Sequence, residues 1–298
     1  MNPFEEITTR IITLMEQGHI PWRKPWASAG TSEHALNFST KKHYRGINAF
    51  LLPVMGSLQG YVSPYWTTYK QAQEKGGQVR KGEKGFPVVF FSFQEKRLDQ
   101  LDDNGNPLLD RYALLKRYTV FNIDQCDGLD APRPAPVATP AAFSPIDAAE
   151  RIVTDWRDAP PIRYGGARAC YTPGSDRIQM PPRDAFHGAE EFYSTLFHEM
   201  GHATGHASRL DRDMKPLLVS RHSYSKEELI AEFTACFLCN RAGILPHTEE
   251  NSAAYLRSWM TVLKNDPRMA VYAAAQAQKA ADWILHTRAA DAETRRAA

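Results

Sequence analysis

Two histidines, His198 and His202, stand four residues apart in the run His198-Glu199-Met200-Gly201-His202. On a helix that spacing puts both imidazoles on one face, where they can hold one divalent cation with a coordination position left open. Glu199 then lies beside the cation, placed as the base that takes a proton from an acidified water. A chance HExxH on a charged surface helix would lack the apolar back that Leu196, Phe197 and Met200 supply here. Gly201 removes a side chain where another backbone would approach closely.

The third ligand separates the classes of such sites. A three-histidine pattern would want histidine at 208, but the chain has Ser208 there, and His206 falls two residues short. The run SKEELIAEFTA offers Glu227, Glu228 and Glu232, 25 to 30 residues after His202. Glu228 and Glu232 are four apart and share a helix face. We expect Glu228 on the metal and Glu232 in a hydrogen bond to a ligand imidazole. The competing account is a capping box, Ser225 to Glu228, in which Glu228 only closes a helix start. That account leaves Glu232 as an unexplained acid in the apolar stretch IAEFTACFL. Two histidines, one glutamate and a water suit a catalytic zinc site, and the same donors accept manganese.

Other reactive residues carry less. Cys236 and Cys239 have CxxC spacing but no second pair and an apolar setting, which suits buried core thiols. Cys170 as a thiolate capping the metal is the weaker reading of that residue. His206, His222 and Tyr224 could stabilise an oxyanion or simply be solvated loop residues.

The elements that must position these groups fall into two domains, of α+β class overall. Residues 1–128 form the first, with an amphipathic helix near the N-terminus and a short helix over AFLLPVMGSL. Asn48 could cap that helix, with Pro53 in its first turn or breaking it. Thr67 or Thr68 caps TYKQAQEK, and PVVFFSF and RYALLKRYTVFNI pair as a hairpin about DDNGNP. Residues 129–143, LDAPRPAPVATPAAF, read as a linker. Residues 144–298 form a mostly helical domain with a small sheet, two short strands flanking Pro173-Gly174-Ser175-Asp176. An Ala-rich helix follows from 253 to about 288. No apolar run is long enough to span a bilayer, the N-terminus does not read as a signal peptide, and four cysteines make no disulfide framework, so the expected setting is the cytoplasm with no membrane partner.

The net charge of +2 conceals an asymmetry. Between positions 20 and 90 there are ten basic and three acidic residues, a local +7, which leaves −5 for the rest. An anionic partner is expected for the first domain. The cations are interleaved with aromatic rings, and rings on which unpaired bases stack favour single-stranded over duplex DNA. Trp22, Trp26, Tyr44, Trp66 and Tyr69 have polar or Pro-rich neighbours and are expected at the surface, whereas Phe50, Phe86 and Phe90 are expected in the core. Lys41, Lys42, Arg45 and Asn48 lie in KKHYRGIN. Lys70, Arg80, Lys81 and Lys84 complete the expected DNA contacts, the last three in a basic loop whose glycines let backbone N–H groups approach phosphate.

NFSTKKHYRGINAFLL and SPYWTTYKQAQEKGGQVRKGEKGFPVVFF, then YTPGSDRIQMPPRDAF, HEMGHATGHASRL and YSKEELIAEFTACFL, resemble ArdC-type plasmid antirestriction proteins and related primase-fused proteins of conjugative plasmids. The likeness runs in order over nearly the whole chain. It implies a single-stranded-DNA-binding domain joined to a zincin-like metallopeptidase domain, a pair that helps incoming plasmid DNA escape host restriction during conjugation. The spacing from Glu228 to Glu232 is also similar to the third-ligand helix of Glu-type zincins such as ImmA/IrrE. The peptidase substrate would be a host restriction protein or another DNA-bound protein, in the manner of SPRTN-like proteases by architecture alone. A DNA-shielding protein with a non-proteolytic metal domain is the competing expectation. A nuclease would want more carboxylates and Mg²⁺.

Overall fold

The computed structural model describes residues 3–17, 35–101, 107–130, 145–212, 221–244 and 252–287. The chain divides into two compact units, Met1–Ile7 with His34–Pro134, and Thr8–Glu33 with Ala135–Ala298. The described residues 8–17 group with the second unit. Within the second unit the Thr8 hydroxyl donates to the Pro267 carbonyl at 2.7 Å, and Lys264 pairs with Glu16 at 3.2 Å. These contacts hold the latter part of helix α1 (Pro3–Glu16) there.

The first unit is built on a four-stranded sheet of order β1-β2-β5-β4. Strand β1 (Leu36–Asn37) runs parallel to β2 (Tyr65–Thr67), which pairs antiparallel with β5 (Pro107–Asn122). The hairpin of β4 (Phe86–Leu101) and β5 forms as expected, and each strand is longer than its apolar run suggested. Its turn falls outside the described residues. Helix α2 (Ile47–Leu58) lies between β1 and β2 in the chain, and α3 (Tyr69–Glu74) follows β2. Thr68 caps α3 in a reciprocal box with Gln71. A small ladder pairs β3 (Gln78–Val79) with β6 (Cys126–Asp127).

Three local expectations change here. Helix α2 continues through Pro53, and its N-cap is Gly46, which adopts φ +57, a conformation glycine takes at no steric cost. Asn48 is not the cap: its amide spans to β4, donating to the Val89 carbonyl at 2.7 Å and accepting from the Val89 N–H at 3.0 Å. Trp66 is 1% exposed and sits with Leu52, Phe86 and Val120 in the core, its ring edge-on to Phe86 at 5.3 Å. Polar neighbours misled the sequence reading, because successive side chains of a strand face opposite ways. Phe90, expected in the core, is 38% exposed, although Phe86 and Val88 of the same strand are buried.

In the second unit, α4 (Pro145–Asp155), α5 (Ala189–Ala203), α6 (Arg221–Ala242), α7 (Ser252–Asn265) and α8 (Met269–Ile284) accompany a three-stranded sheet of order β7-β9-β8. Strand β7 (Ile162–Tyr164) lies parallel to β9 (Arg177–Met180), and β8 (Cys170–Thr172) antiparallel to it. The expected turn between β8 and β9 is present, with Asp176 left-handed at φ 41. The single Ala-rich helix expected near the C-terminus is instead two, broken at Asp266-Pro267, where the proline disfavours helical backbone in the residue before it. Phe197, Met200 and Leu196 of α5 meet Leu238 and Cys239 of α6 in one buried cluster with Ile178 and Met180. Cys236 and Cys239 are core thiols, and burial pushes the Cys239 thiol up to about 12. Among the described residues, no helix is long and apolar enough to cross a membrane.

Candidate metal centre

Gly188 is the N-cap of α5, and Glu191 in the first turn accepts the His187 N–H at 2.6 Å. An acid there also complements the positive end of the helix. In its last turn, α5 meets α6 closely at Gly201. A Cβ on Gly201 would stand 3.0 Å from Ala231 Cα and 3.1 Å from Thr234 Cβ. The missing side chain thus lets the two helices touch where their polar groups converge.

Those groups are His198, His202 and Glu228, whose donor atoms lie within 4.8 Å of one another. The two imidazole Nε2 atoms are 3.1 Å apart, and Glu228 places one oxygen 3.4 Å from each. Two nitrogens and a carboxylate converging on one point are the donor set of a divalent cation, and at the histidine–carboxylate separations one cation fits among them. Helix α6 begins at Arg221, so Ser225 lies inside it and the capping-box account of Glu228 falls away. Glu232 faces the other ring nitrogen of His198, Nδ1, at 3.6 Å. Glu199 is 8% exposed on the same helix.

The electrostatics of the metal-free cluster follow from this crowding. Burial disfavours charge on His198, but the adjacent Glu228 and Glu232 overcome it and raise its pKa to about 10. Burial would raise Glu228, and the two imidazoles instead hold it far below the usual carboxylate range. The same carboxylates that hold protons on the imidazoles would balance a dication that took the protons' place.

Two residues of this centre were missed. Glu227 sets Oε1 3.6 Å from His202 Nδ1, the counterpart of Glu232 at His198, and it pairs with Arg212 at 2.6 Å. Glu227 was visible as one of three acids, but its facing toward His202 was not. Arg212 lies in a loop with no periodicity to place it. His206 is spent locally, its Nδ1 2.8 Å from the Ser208 hydroxyl. Cys170 is exposed on β8 and is not among the clustered donors. The side chains of His222 and Tyr224 lie outside the described residues.

The expected DNA contacts are dispersed over the first unit. Lys41, held at φ 58, lays its ammonium over the rings of Phe38 at 4.1 Å and Tyr65 at 4.6 Å. Lys42 and Arg45 flank it at the surface, and Tyr44 is half-buried, its hydroxyl 3.4 Å from the Asn37 amide and raised to about 12 by burial. Tyr69 is 52% exposed beside Lys70, which pairs loosely with Glu74 at 3.7 Å. Lys81 and Lys84 are exposed, whereas Arg80 is tied to Glu83 at 2.9 Å and to the Asp124 carbonyl at 2.6 Å. Trp66 is buried and Asn48 is bound to Val89, so neither ring nor amide is presented to a ligand. Trp22 and Trp26 lie outside the described residues.

A helix pair bearing HExxH and a glutamate, packed on a small sheet, defines a zincin-like domain, and residues 147–276 match the family described as zincin-like metallopeptidase. Residues 1–121 match the N-terminal domain of the anti-restriction factor ArdC. Two crystal structures of the antirestriction protein ArdC from plasmid R388 are 42% identical: the metal-free one with a TM-score of 0.73 over 96% of this chain and 97% of that one, the Mn(II)-bound one with 0.75 over 97% and 99%. An uncharacterized protein, y4eC, of Sinorhizobium fredii is 35% identical over 97% of this chain and 93% of its own length. Two DNA primases TraC of Escherichia coli are 39% and 38% identical over 95% of this chain, which spans only 20% and 27% of their lengths. The chain belongs to the ArdC family of antirestriction proteins.

Proposed function

We propose that this chain binds single-stranded DNA through its first unit and carries in its second a metallopeptidase centre, and that together they protect incoming plasmid DNA from restriction during conjugation. The observation that carries the reading is the convergence of His198, His202 and Glu228 on one point, with Glu199 on the same helix. Zinc or manganese fits those donors. When bound there, a divalent cation would polarise a peptide carbonyl and acidify a water. Glu199 would take that water's proton and deliver it to the leaving amine. Glu227 and Glu232 would hold the two imidazoles in orientation. The substrate class is a host restriction protein or another protein on the DNA.

The test is Glu199→Gln, which keeps the side chain's shape and removes the base. Expected is a variant that retains Mn(II) and DNA binding but no longer protects transferred single-stranded plasmid DNA in a restricting host. Full protection by the variant would overturn the peptidase role and leave a DNA shield.

For the DNA reading, Lys41 lies over the Phe38 and Tyr65 rings, and Lys42 and Arg45 are exposed close by in sequence. Replacing all three by Gln should weaken binding to an oligothymidylate and flatten the dependence of log K on log salt by about 0.7 for each phosphate that is no longer neutralised. An unchanged slope in a fluorescence-anisotropy titration would place the DNA elsewhere.

A further inference from the structure

Arg212 follows α5 in an irregular stretch, ten residues beyond His202, and its side chain is only 9% exposed. Every nitrogen of its guanidinium is used. Nε donates to Glu227 Oε2 at 3.1 Å, and Nη2 to Glu227 Oε1 at 2.6 Å, a two-pronged pairing. Nη2 also donates to the Gly201 carbonyl at 2.8 Å, and Nη1 to the Thr204 hydroxyl at 2.8 Å. Thr204 in turn donates to the same Gly201 carbonyl at 2.6 Å. Gly201 is one of the last residues of α5, whose terminal carbonyls have no partner within the helix.

Removing a guanidinium from water is costly unless acceptors surround it. Here they do, and what they join is specific. Nη1 and Nη2 together grip the end of the helix that carries both histidines, through Thr204 and the Gly201 carbonyl. Nε and Nη2 fix the carboxylate of Glu227, whose Oε1 faces His202 Nδ1 at 3.6 Å. A fixed carboxylate on that side favours the tautomer with its proton on Nδ1. The lone pair of Nε2 is then aimed at the point it shares with His198 and Glu228.

We propose that Arg212 is a positioning residue for the metal centre: through Glu227 it sets the ring orientation and tautomer of His202, and so the affinity for a divalent cation. The inference rests on His198, His202 and Glu228 being the cation's donors. The experiment is titration of the full chain with Mn(II), free ion followed by electron paramagnetic resonance, with the visible spectrum of the Co(II)-loaded protein as a report on donor geometry. Arg212→Gln should bind Mn(II) about 10- to 100-fold more weakly, the range for loss of an outer partner of a metal ligand. Arg212→Lys should recover part of that loss and Glu227→Gln should fall in the same range. The double variant should be no weaker than the weaker single, since both act through one chain of contacts. The Co(II) spectrum should shift in the same variants. Arg209→Gln is the control for a purely structural arginine. Its guanidinium pairs with Asp176 and donates to the Ala203 carbonyl, so it should lower the unfolding temperature and leave Mn(II) affinity unchanged.

Wild-type affinity and spectrum in a folded Arg212→Gln protein would overturn the proposal, as would an equal loss in Arg209→Gln. Should Arg212→Gln not fold, Glu227→Gln, nearly the same shape, decides it by the same criterion. If the unmodified chain takes up no Mn(II), the donor assignment itself fails and this inference with it.

Discussion

Glu228→Ala should lower Mn(II) affinity by well over the roughly 100-fold that loss of an outer partner costs, while the helix that bears it stays folded. The reasoning is geometric. Glu228 sets Oε2 3.4 Å from His198 Nε2 and Oε1 3.4 Å from His202 Nε2, so its removal leaves a two-nitrogen site open to solvent exchange. The fold should tolerate the change. Alanine is the best helix former, and Glu228 is well inside α6, which starts at Arg221. Removal of the carboxylate also lifts what raises the pKa of His198, since Glu228 is first among the groups opposing burial there. Isothermal titration with Mn(II) reads the affinity, and circular dichroism the helix content. Retention of wild-type affinity in a folded Glu228→Ala protein would mean that another acid is the third donor.

Gly201→Val should strongly destabilise the second unit. Two effects oppose each other. Replacing a helical glycine relieves a propensity penalty of up to about 1 kcal/mol, less for a β-branched residue such as valine. Against it, even the first added carbon stands 3.0 Å from Ala231 Cα and 3.1 Å from its carbonyl oxygen, and valine adds two more methyls. Overpacking of this kind costs about 1–3 kcal/mol and sometimes more, and here the yielding atoms are backbone. The net sign is destabilising, read as a lowered unfolding temperature. Because α5 and α6 must separate to admit the methyls, Mn(II) affinity should drop in parallel. A Gly201→Val protein with wild-type melting and binding would show that the helices part without cost.

The features legible from sequence were those with a period or a short-range signature. The four-residue repeat of His198 and His202, the second repeat of Glu228 and Glu232, the bare position at Gly201, the Thr68 cap and the strand pair of the long hairpin all announce themselves within a few residues. What was hidden depends on contacts distant in sequence. Asn48 looks like a cap until Val89, 41 residues on, turns out to claim both ends of its amide. Trp66 sits among polar neighbours that, on a strand, point the other way. Arg212 belongs to no repeating pattern, and its meaning comes from Glu227, 15 residues later, brought back by the approach of α6. The break at Pro267 was readable in principle, but a long alanine-rich run masked it.

The donors stand on two different helices, and this bears on more than chemistry. His198 and His202 belong to α5 and Glu228 to α6, so only the folded chain assembles them. An ion held by the native form and not by the unfolded one shifts that equilibrium, by about 2.7 kcal/mol at a free concentration one hundred times its dissociation constant. If the cluster holds such an ion, a cell's supply of free dication would set how long the chain survives its proteases, and an ion-starved cell would hold less of the protein.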